Sequence, residues 1–322
     1  MDILILVIGL ALILLGANYL VDGASAIAKK AGLSDFIIGM TIVGIGTSTP
    51  EMVVSFASAL KGNADIAVGN VLGSNLFNTL MILGITALFY PIRLTSNNVK
   101  KDIPFSVLAS FVLLVLGCAT WLDGAAVNSI SRVNGIMLLA LFGVFMAYTI
   151  YSSSSQKNDV IPDNSQGSTK PTPVWKATLM VIGGLCGLVF GGDMFVNSAS
   201  AIARSLGVSD AVIAVTIVAG GTSMPELASC LVAAFKKNTD QALGNVIGSN
   251  VSNIFLILGG SATIQPLVMS GIKSLDLITL MIASVLVFIF AFTFKKKQID
   301  RIEGALLVCI YIGFIALTLH AL

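Results

Sequence analysis

Two glutamates occur where a carboxylate is costly, near the middle of long apolar segments. Glu51 and Glu226 each follow a proline, in the sequences GTSTPE and GTSMPE. A buried carboxylate with no lysine or arginine nearby must be protonated, paired or neutralised by a bound cation. Two protonated, hydrogen-bonded core acids are one interpretation, and an intramembrane cation site is the other. The residues around both glutamates favour the cation site.

The prolines weaken the helix beside each acid. Pro50 and Pro225 have no N–H, so the carbonyl groups four residues earlier, at Gly46 and Gly221, lose their helical partners. Free carbonyl groups at membrane depth are tolerated where they line a hydrated cavity, and there they can bind cations. A simple proline kink is the alternative, but a kink beside a buried acid at two equivalent places predicts a site.

Other oxygen-bearing side chains lie four residues apart, the spacing that puts two residues on one helix face. These pairs are Thr47 with Glu51, Thr222 with Glu226, Ser74 with Asn78, and Ser249 with Asn253. Two glutamates with carbonyl and hydroxyl groups supply the roughly six to eight oxygens that calcium prefers, and magnesium fits less well. For any single Ser or Thr, a hydrogen bond back to its own helix or interhelical packing is the alternative.

Glycines and asparagines beside these residues predict packing. Gly69 with Gly73, and Gly244 with Gly248, have the small-xxx-small spacing that would let the third and eighth apolar segments approach closely. Asn70 and Asn245 are predicted to cap or buttress the broken helices.

The composition predicts an all-α polytopic membrane protein. The chain has 322 residues, of which 56% are hydrophobic and only 11% charged, and its mean hydropathy is +0.96. A soluble domain carries about 25% charged residues. The basic residues occur in ones, twos and threes, which does not predict nucleic-acid binding. With His320 as its one histidine and no Ser-His-Asp pattern, the chain is predicted not to be an enzyme and to need no cofactor.

Ten segments are apolar and about long enough to span a bilayer. They cover about residues 3–22, 36–60, 65–90, 103–121, 133–151, 175–199, 211–235, 241–266, 276–294 and 302–321. A polar linker rich in Ser, Pro, Asn and Asp covers residues 151–174. It divides the chain into two five-helix units, residues 1–150 and 175–322.

The positive-inside rule orients these segments with both termini outside the cytoplasm. In that orientation 14 basic residues are cytoplasmic and 4 are external, which accounts for all 18. The cytoplasmic set is Lys29, Lys30, Arg93, Lys100, Lys101, Lys157, Lys170, Lys176, Lys236, Lys237, Lys295, Lys296, Lys297 and Arg301. The external set is Lys61, Arg132, Arg204 and Lys273.

The chain repeats itself at a shift of 175 residues. TIVGIGTSTPE at 41–51 returns as TIVAGGTSMPE at 216–226 with eight of eleven residues identical, and GNVLGSN at 69–75 returns as GNVIGSN at 244–250 with six of seven. The register runs without gaps from about Gly9 and Gly184 to Ile92 and Leu267. Because each unit has five spans, an odd number, the second must enter the membrane inverted. Inverted repeats are typical of transporters with a midplane site.

GTSTPE with GNVLGSNLFN, and GTSMPE with GNVIGSNVSN, resemble the two α-repeats of the calcium/cation antiporter superfamily, specifically its sodium/calcium exchangers. The resemblance covers nearly the whole chain, and the short linker is typical of a prokaryotic member. It implies that calcium and sodium bind alternately at a central site formed by Glu51, Glu226, Thr47 and Thr222. It further implies flanking sodium sites lined by Ser48, Ser223, Ser74, Ser249, Asn78, Asn253 and the carbonyl groups of Gly44 and Ala219.

One position departs from part of this family. Some relatives have an aspartate where this chain has Asn253, and potassium-dependent members use such an acid. The asparagine leaves two site carboxylates and argues against potassium co-transport. The resemblance also implies that the first and sixth spans slide against the remaining helices.

The leading hypothesis is a sodium/calcium antiporter of a prokaryotic inner membrane, with calcium, sodium and the lipid bilayer as its partners and a monomer sufficient for transport. A proton/calcium antiporter of the same fold is the second hypothesis, since the same glutamates could titrate. A cation channel is a third, which the inverted duplication disfavours because a pore usually gathers several subunits around an axis.

Overall fold

The computed structural model of the protein describes residues 2–122, 124–155, 172–207, 219–293 and 297–320. Most of the predicted linker, residues 156–171, lies outside the described residues, as do Lys157, Lys170, Lys295 and Lys296.

Helices account for almost the whole described chain. Eleven long helices are α1 Asp2–Ala31, α2 Asp35–Thr47, α3 Thr49–Leu60, α4 Ala64–Phe89, α5 Ile103–Gly117, α6 Arg132–Ser155, α7 Val174–Ser205, α8 Met224–Phe235, α9 Thr239–Ile264, α10 Ser274–Phe290 and α11 Arg301–His320. Short helical turns cover Ala119–Leu122 and Ala219–Gly221. Among the described residues, π-helical segments cover Gly39–Val43 in α2, Phe77–Ile82 in α4, Asn98–Asp102 before α5, and Asn253–Leu258 in α9.

A helix lies at each of the ten predicted spans, although their lengths differ. Among the described residues six helices are long and apolar enough to cross a membrane, or seven if the bent pair α2 and α3 is one span. The helices α8 and α10 are shorter, with 12 and 17 residues. The described residues therefore form a mainly helical protein with at least six candidate membrane spans.

The helices α4 and α9 form the centre of the protein. The most apolar stretch of α9 is 94% buried and that of α4 is 78% buried, whereas those of α1, α6, α7 and α11 are only 22–28% buried. Large apolar side chains such as Leu4 and Trp175 are exposed on the outer helices. An apolar outer surface around a polar, buried centre is the arrangement expected of a protein surrounded by lipid.

Two short antiparallel ribbons connect the two repeats. β1 (Ile92–Arg93) pairs with β4 (Gln298–Ile299), and β2 (Ser129–Ile130) pairs with β3 (Leu267–Val268). Each ribbon takes one strand from before the linker and one from after it. The residues before and after the linker are thus interleaved.

The helices α1 and α7 cross through glycines. A Cβ placed on Gly16 would lie 2.7 Å from the carbonyl oxygen of Gly184, and one on Gly9 would lie 2.9 Å from that of Gly191. Since Gly9 matches Gly184 and Gly16 matches Gly191 in the repeat, the crossing follows the same pseudo-symmetry as the sequence.

The predicted glycine packing is correct for the second repeat but has a different partner. A Cβ on Gly248 would lie 2.0 Å from the carbonyl oxygen of Met40, so α9 packs against α2 and not against α4 at this point. A Cβ on Gly73 would meet no described atom within 4 Å. The prediction that Gly69 and Gly73 mediate a close helix approach is therefore wrong for the described residues, since Gly69 meets only Ile272, at 3.7 Å.

Candidate ion-binding site

The two glutamates belong to one buried cluster, in which each is hydrogen-bonded by the other repeat. Both side chains are fully buried, with 0% exposure. Ser223 Oγ donates to Glu51 Oε1 at 3.0 Å, and Ser48 Oγ donates to Glu226 Oε1 at 3.0 Å. Because Ser48 precedes Glu51 by three positions and Ser223 precedes Glu226 by three, the two proline-containing segments face each other.

A second serine reaches each carboxylate from the central helices. Ser74 Oγ in α4 lies 3.3 Å from Glu51 Oε1, and Ser249 Oγ in α9 lies 3.5 Å from Glu226 Oε1. Ser249 also lies 3.0 Å from the carbonyl oxygen of Gly44, and this shorter contact is the stronger one for its single proton. All four predicted serines therefore lie around the two glutamates.

Several oxygens of this cluster have no partner in the described residues. They are Oε2 of both Glu51 and Glu226, Oγ1 of Thr222, and Oδ1 of both Asn78 and Asn253. A buried polar atom without a partner costs about 1–3 kcal/mol, so such atoms are rare and usually have a functional explanation. These oxygens suit a hard cation such as calcium or sodium. Among the described residues no group of three or more His, Cys, Asp and Glu could hold a metal ion, so a transition-metal centre has no support there.

The chain breaks its helix just before each glutamate. The helices α2 and α3 meet at Ser48 with a bend of 45°, and Pro50 lies in the first turn of α3. Glu51 is therefore in the first turn of a new helix, where the helix dipole favours a negative charge. Pro225 and Glu226 have the same position in α8. Although both glutamates lie near the middle of an apolar segment, neither lies in the middle of a continuous helix, because α3 and α8 begin at Thr49 and Met224, one residue before each proline.

This break also changes the predicted pairing of Thr47 with Glu51. Thr47 ends α2 and Glu51 lies in α3, so they do not share one continuous helix. Thr47 Oγ1 lies 3.0 Å from the carbonyl oxygen of Val43 and 3.2 Å from Asn245 Oδ1. The back-bonding alternative thus applies to Thr47, whereas the hydroxyl of Thr222 has no partner among the described residues.

The predicted free carbonyl at Gly46 is capped. Thr49 Oγ1 donates to it at 2.7 Å, so the expectation that it is left without a partner is wrong. In the second repeat the equivalent of Thr49 is Met224, which has no hydroxyl to donate to Gly221. Ala219, the equivalent of Gly44, begins the short helical turn Ala219–Gly221.

Asparagines support the site from outside it. Asn70 Nδ2 donates to the carbonyl oxygen of Glu51 at 3.2 Å and to Ser55 Oγ at 3.0 Å. Asn245 Nδ2 donates to Ser229 Oγ at 2.7 Å. Their predicted buttressing role is in line with these contacts.

Sequence reasoning missed Asn75, which accepts a hydrogen bond from Asn253 Nδ2 at 3.0 Å. The available signal was the doubled GSN motif, in which Asn75 and Asn250 are equivalent.

A cavity of about 430 Å³ lies beside the cluster, between α7 and the starts of α3 and α8. Its lining includes Pro50, Thr222, Pro225, and the exposed side chains of Asp193 and Asn197 on α7. Thr222 belongs both to the cavity wall and to the predicted site, so the cavity borders the cluster at this residue, although most of its lining is apolar.

Comparisons with known proteins agree over nearly the whole chain. The sequence profile of the family described as "Sodium/calcium exchanger protein" matches residues 1–151 and 176–320. The chain is 34% identical to the sodium/calcium exchanger MaX1 of Methanosarcina acetivorans over 347 residues, covering 99% of each chain. It is 33% identical to the inner membrane protein YrbG of Escherichia coli over 271 residues, covering 81% of this chain and 79% of the relative.

Solved structures give the same result. A structure of the sodium-calcium exchanger NCX_Mj soaked with sodium and calcium ions matches with a TM-score of 0.82 and 32% sequence identity. The match covers 98% of this chain and 97% of the exchanger.

Proposed function

This chain belongs to the sodium/calcium exchanger family, as a member of prokaryotic type and an integral membrane protein, and from this premise we propose that it exchanges sodium for calcium across its membrane. The antiporter uses one site, built on Glu51 and Glu226, that opens alternately to the two sides. The observation that supports this most directly is the pair of fully buried carboxylates, each hydrogen-bonded across the repeat boundary, with one oxygen of each left without a partner.

The proposed ligands are those expected from the sequence. Calcium binds Glu51, Glu226, Thr47 and Thr222, and sodium ions bind flanking positions that share the same carboxylates. The flanking ligands are Ser48, Ser74, Asn78, Ser223, Ser249, Asn253 and the carbonyl groups of Gly44 and Ala219. Of these, the hydroxyl of Thr222 and the amide oxygens of both asparagines have no hydrogen-bond partner among the described residues, which leaves them free to bind cations.

Competition for the carboxylates enforces exchange. Calcium and sodium cannot both be bound, and an empty site would carry a charge of about −2 through a barrier of low dielectric constant. The protein therefore changes between its two open conformations only when the site is occupied. If several sodium ions replace one calcium ion, each cycle moves net charge, and the membrane potential acts on it with about 2.3 kcal/mol per elementary charge per 100 mV.

We further propose ten spans in two inverted units, residues 1–150 and 175–322, joined by a cytoplasmic linker over residues 151–174. The reciprocal serine bonds, the two interleaved ribbons and the pseudo-symmetric glycine crossing support an inverted repeat. The distribution of basic residues supports an orientation with both termini outside the cytoplasm. The inner membrane is the proposed location, as for the Escherichia coli relative, which is an inner membrane protein.

A proton/calcium antiporter of the same fold is the alternative. The four serines and the free asparagine oxygens favour sodium, because a proton needs no cage of oxygen ligands. A channel has less support, since the two acids come from one chain and face each other in a closed cluster.

Purified protein in calcium-loaded vesicles distinguishes these functions. Calcium flux that follows an imposed sodium gradient and does not respond to a pH gradient is the expected result. Flux driven only by the pH gradient would select the proton antiporter, and flux without any counter-ion would select a channel. Vesicles of the same lipid composition without the protein give the background rate.

A further inference from the structure

We propose that Asn75 is a positioning residue that holds the side-chain amide of Asn253 with its oxygen, and not its NH₂ group, available to a cation. This inference rests on the proposed function, because it concerns sodium binding at the same site. Asn75 itself is not a proposed ligand. It acts through two hydrogen bonds that determine which way round the neighbouring amide lies.

The orientation follows from an acceptor whose identity is certain. Asn75 Nδ2 donates to the backbone carbonyl oxygen of Asn250 at 3.1 Å. A backbone carbonyl can only accept, so Asn75 must point its NH₂ group toward it and its Oδ1 the other way. Asn253 Nδ2 lies 3.0 Å from that Oδ1 and must be the donor. The two ends of the Asn253 amide are therefore distinguished by a chain of bonds that begins at the backbone.

The atom of Asn253 that this arrangement leaves without a partner is its amide oxygen, and Asn253 lies close in the chain to residues of the proposed ion site. Asn253 Oδ1 is buried without a hydrogen-bond partner among the described residues, and the whole side chain has 0% exposure. Asn253 begins the π-helical segment of α9, four residues after Ser249, whose hydroxyl approaches Glu226. Such π-helical segments are frequent at functional sites. A neutral amide oxygen is a suitable sodium ligand, whereas an NH₂ group in its place would repel a cation.

The repeat equivalents of Asn75 and Asn253 are Asn250 and Asn78, and these two side chains are not hydrogen-bonded to each other in the described residues. Asn250, the equivalent of Asn75, donates its Nδ2 to Thr79 Oγ1 at 2.7 Å instead of contacting Asn78. Both amide atoms of Asn78, the equivalent of Asn253, have no partner among the described residues. Thr79 corresponds to Ile254, which has no hydroxyl group. The two repeats therefore differ in sequence at the residue that binds the Asn250 amide. Only the Asn253 amide is fixed, and Asn78 can turn either end toward an ion.

The test compares variants of Asn75 in two transport modes. The first mode is sodium-driven calcium flux in vesicles, from which the sodium concentration for half-maximal flux is obtained. The second is exchange of calcium for isotopic calcium without sodium. Asn75→Leu removes both hydrogen bonds at similar volume, and we expect it to raise the half-maximal sodium concentration at least fivefold with less than a twofold change in calcium self-exchange. Asn250→Ala is the matched control and should change neither.

Two further variants separate positioning from a general structural role. In Asn75→Asp, a protonated carboxyl group can donate to the Asn250 carbonyl and accept from Asn253, so sodium dependence near that of the wild type is expected. In an Asn253→Asp background the two oxygens are equivalent, so adding Asn75→Leu should no longer shift the sodium dependence. If Asn75→Leu folds poorly, Asn75→Ala, which removes the same two hydrogen bonds with a smaller side chain, takes its place with the same expected shift.

Three results would overturn the inference. They are an unchanged sodium dependence in Asn75→Leu, an equal loss of both transport modes in that variant, and the same shift in the Asn253→Asp background. Failure of the wild-type protein to respond to sodium would instead contradict the proposed function, so the two failures are distinguishable.

Discussion

Ser223 Oγ lies 3.0 Å from Glu51 Oε1, although the two residues are 172 positions apart in the chain. The equivalent contact, from Ser48 to Glu226, has the same length. A carboxylate from one repeat is thus stabilised by a hydroxyl from the other, and neither repeat can form this cluster alone. The site depends on how the two repeats meet, which makes the contacts across their boundary the natural targets for experiment.

Neutralising either glutamate should abolish calcium transport. Glu51→Gln and Glu226→Gln keep the shape of the side chain but remove half of the negative charge that balances a divalent ion. Calcium flux in vesicles should fall to background while the purified variants elute like the wild type in size-exclusion chromatography. Glu303→Gln is the matched control, because Glu303 is equally buried but forms hydrogen bonds with Thr293 and Asp300 at the start of α11. Full transport in a Glu51 or Glu226 variant would remove that residue from the site.

Removing one cross-repeat hydroxyl should weaken ion binding without destroying it. A hydrogen bond to a charged group contributes about 1.5–3 kcal/mol, so Ser48→Ala and Ser223→Ala should each raise the half-maximal sodium concentration roughly tenfold. The two effects should be similar, because the two contacts are equivalent. Ser58→Ala, on α3 but beyond the cluster, should leave the sodium dependence unchanged. A large effect of one serine and none of the other would contradict the symmetric description.

Gly248 and its repeat equivalent Gly73 should respond differently to alanine. In Gly248→Ala the new Cβ would lie 2.0 Å from the carbonyl oxygen of Met40, so α2 and α9 must separate. Overpacking of this kind typically costs about 1–3 kcal/mol or more, and we expect a clear loss of thermal stability in detergent. Gly73→Ala meets no described atom within 4 Å and should keep the wild-type melting temperature. Equal behaviour of the two variants would show that this contact does not hold the helices together.

The ion pair between Lys236 and Asp22 should favour the conformational state in which the cavity beside Thr222 is open. Lys236 Nζ lies 2.7 Å from Asp22 Oδ1 and connects the end of α8 to α1, while its repeat equivalent Lys61 forms no ion pair with a described residue. The cavity lined by Asn197 lies on a different side of the cluster, near Thr222. Breaking the pair in Lys236→Gln should favour closure of that cavity, by at most about fivefold because an exposed pair is worth less than about 1 kcal/mol.

Cysteine labelling measures this bias. Asn197→Cys in a Cys186→Ser/Cys309→Ser background, which removes the two exposed native cysteines, reports the opening of the cavity to an impermeant maleimide. We expect slower labelling when Lys236→Gln is added and no change with Lys61→Gln. Identical rates in all three proteins would mean that the ion pair has no influence on the conformational equilibrium.

Asp102, the residue before α5, should make the stability of the protein depend on pH. Burial raises the pKa of Asp102 to about 6, and hydrogen bonds from Asn98 and Tyr148 offset this only in part. Because the folded protein then binds this proton more tightly than the unfolded chain, the contribution of Asp102 to stability falls as pH rises from about 4 to 6 and stays low above that range. Asp102→Asn should therefore raise the melting temperature at pH 8 and leave it nearly unchanged at pH 4. A variant that is less stable at pH 8 would contradict this assignment.

Much of the site could be predicted because its residues repeat in the sequence. The doubled GTSxPE and GSN motifs identified both glutamates, and the structure brings four serines and both glutamates into one cluster. What the sequence could not predict were the breaks between Thr47 and Glu51 and the hydrogen bond from Thr49 that caps Gly46. A fixed spacing of four residues indicates a shared face only while the helix is continuous.

The sequence alone determined that this chain is an integral membrane protein with two related halves and an acid in each, because composition and repetition are properties of the chain itself. Only the tertiary structure decided which serine serves which glutamate, that Gly248 meets α2, and that Asn75 fixes one asparagine while its equivalent does not. Hydrogen-bond partners and close backbone approaches depend on distances of a few ångströms between segments far apart in sequence. Two repeats with nearly identical motifs can therefore differ in the contacts that their equivalent residues make.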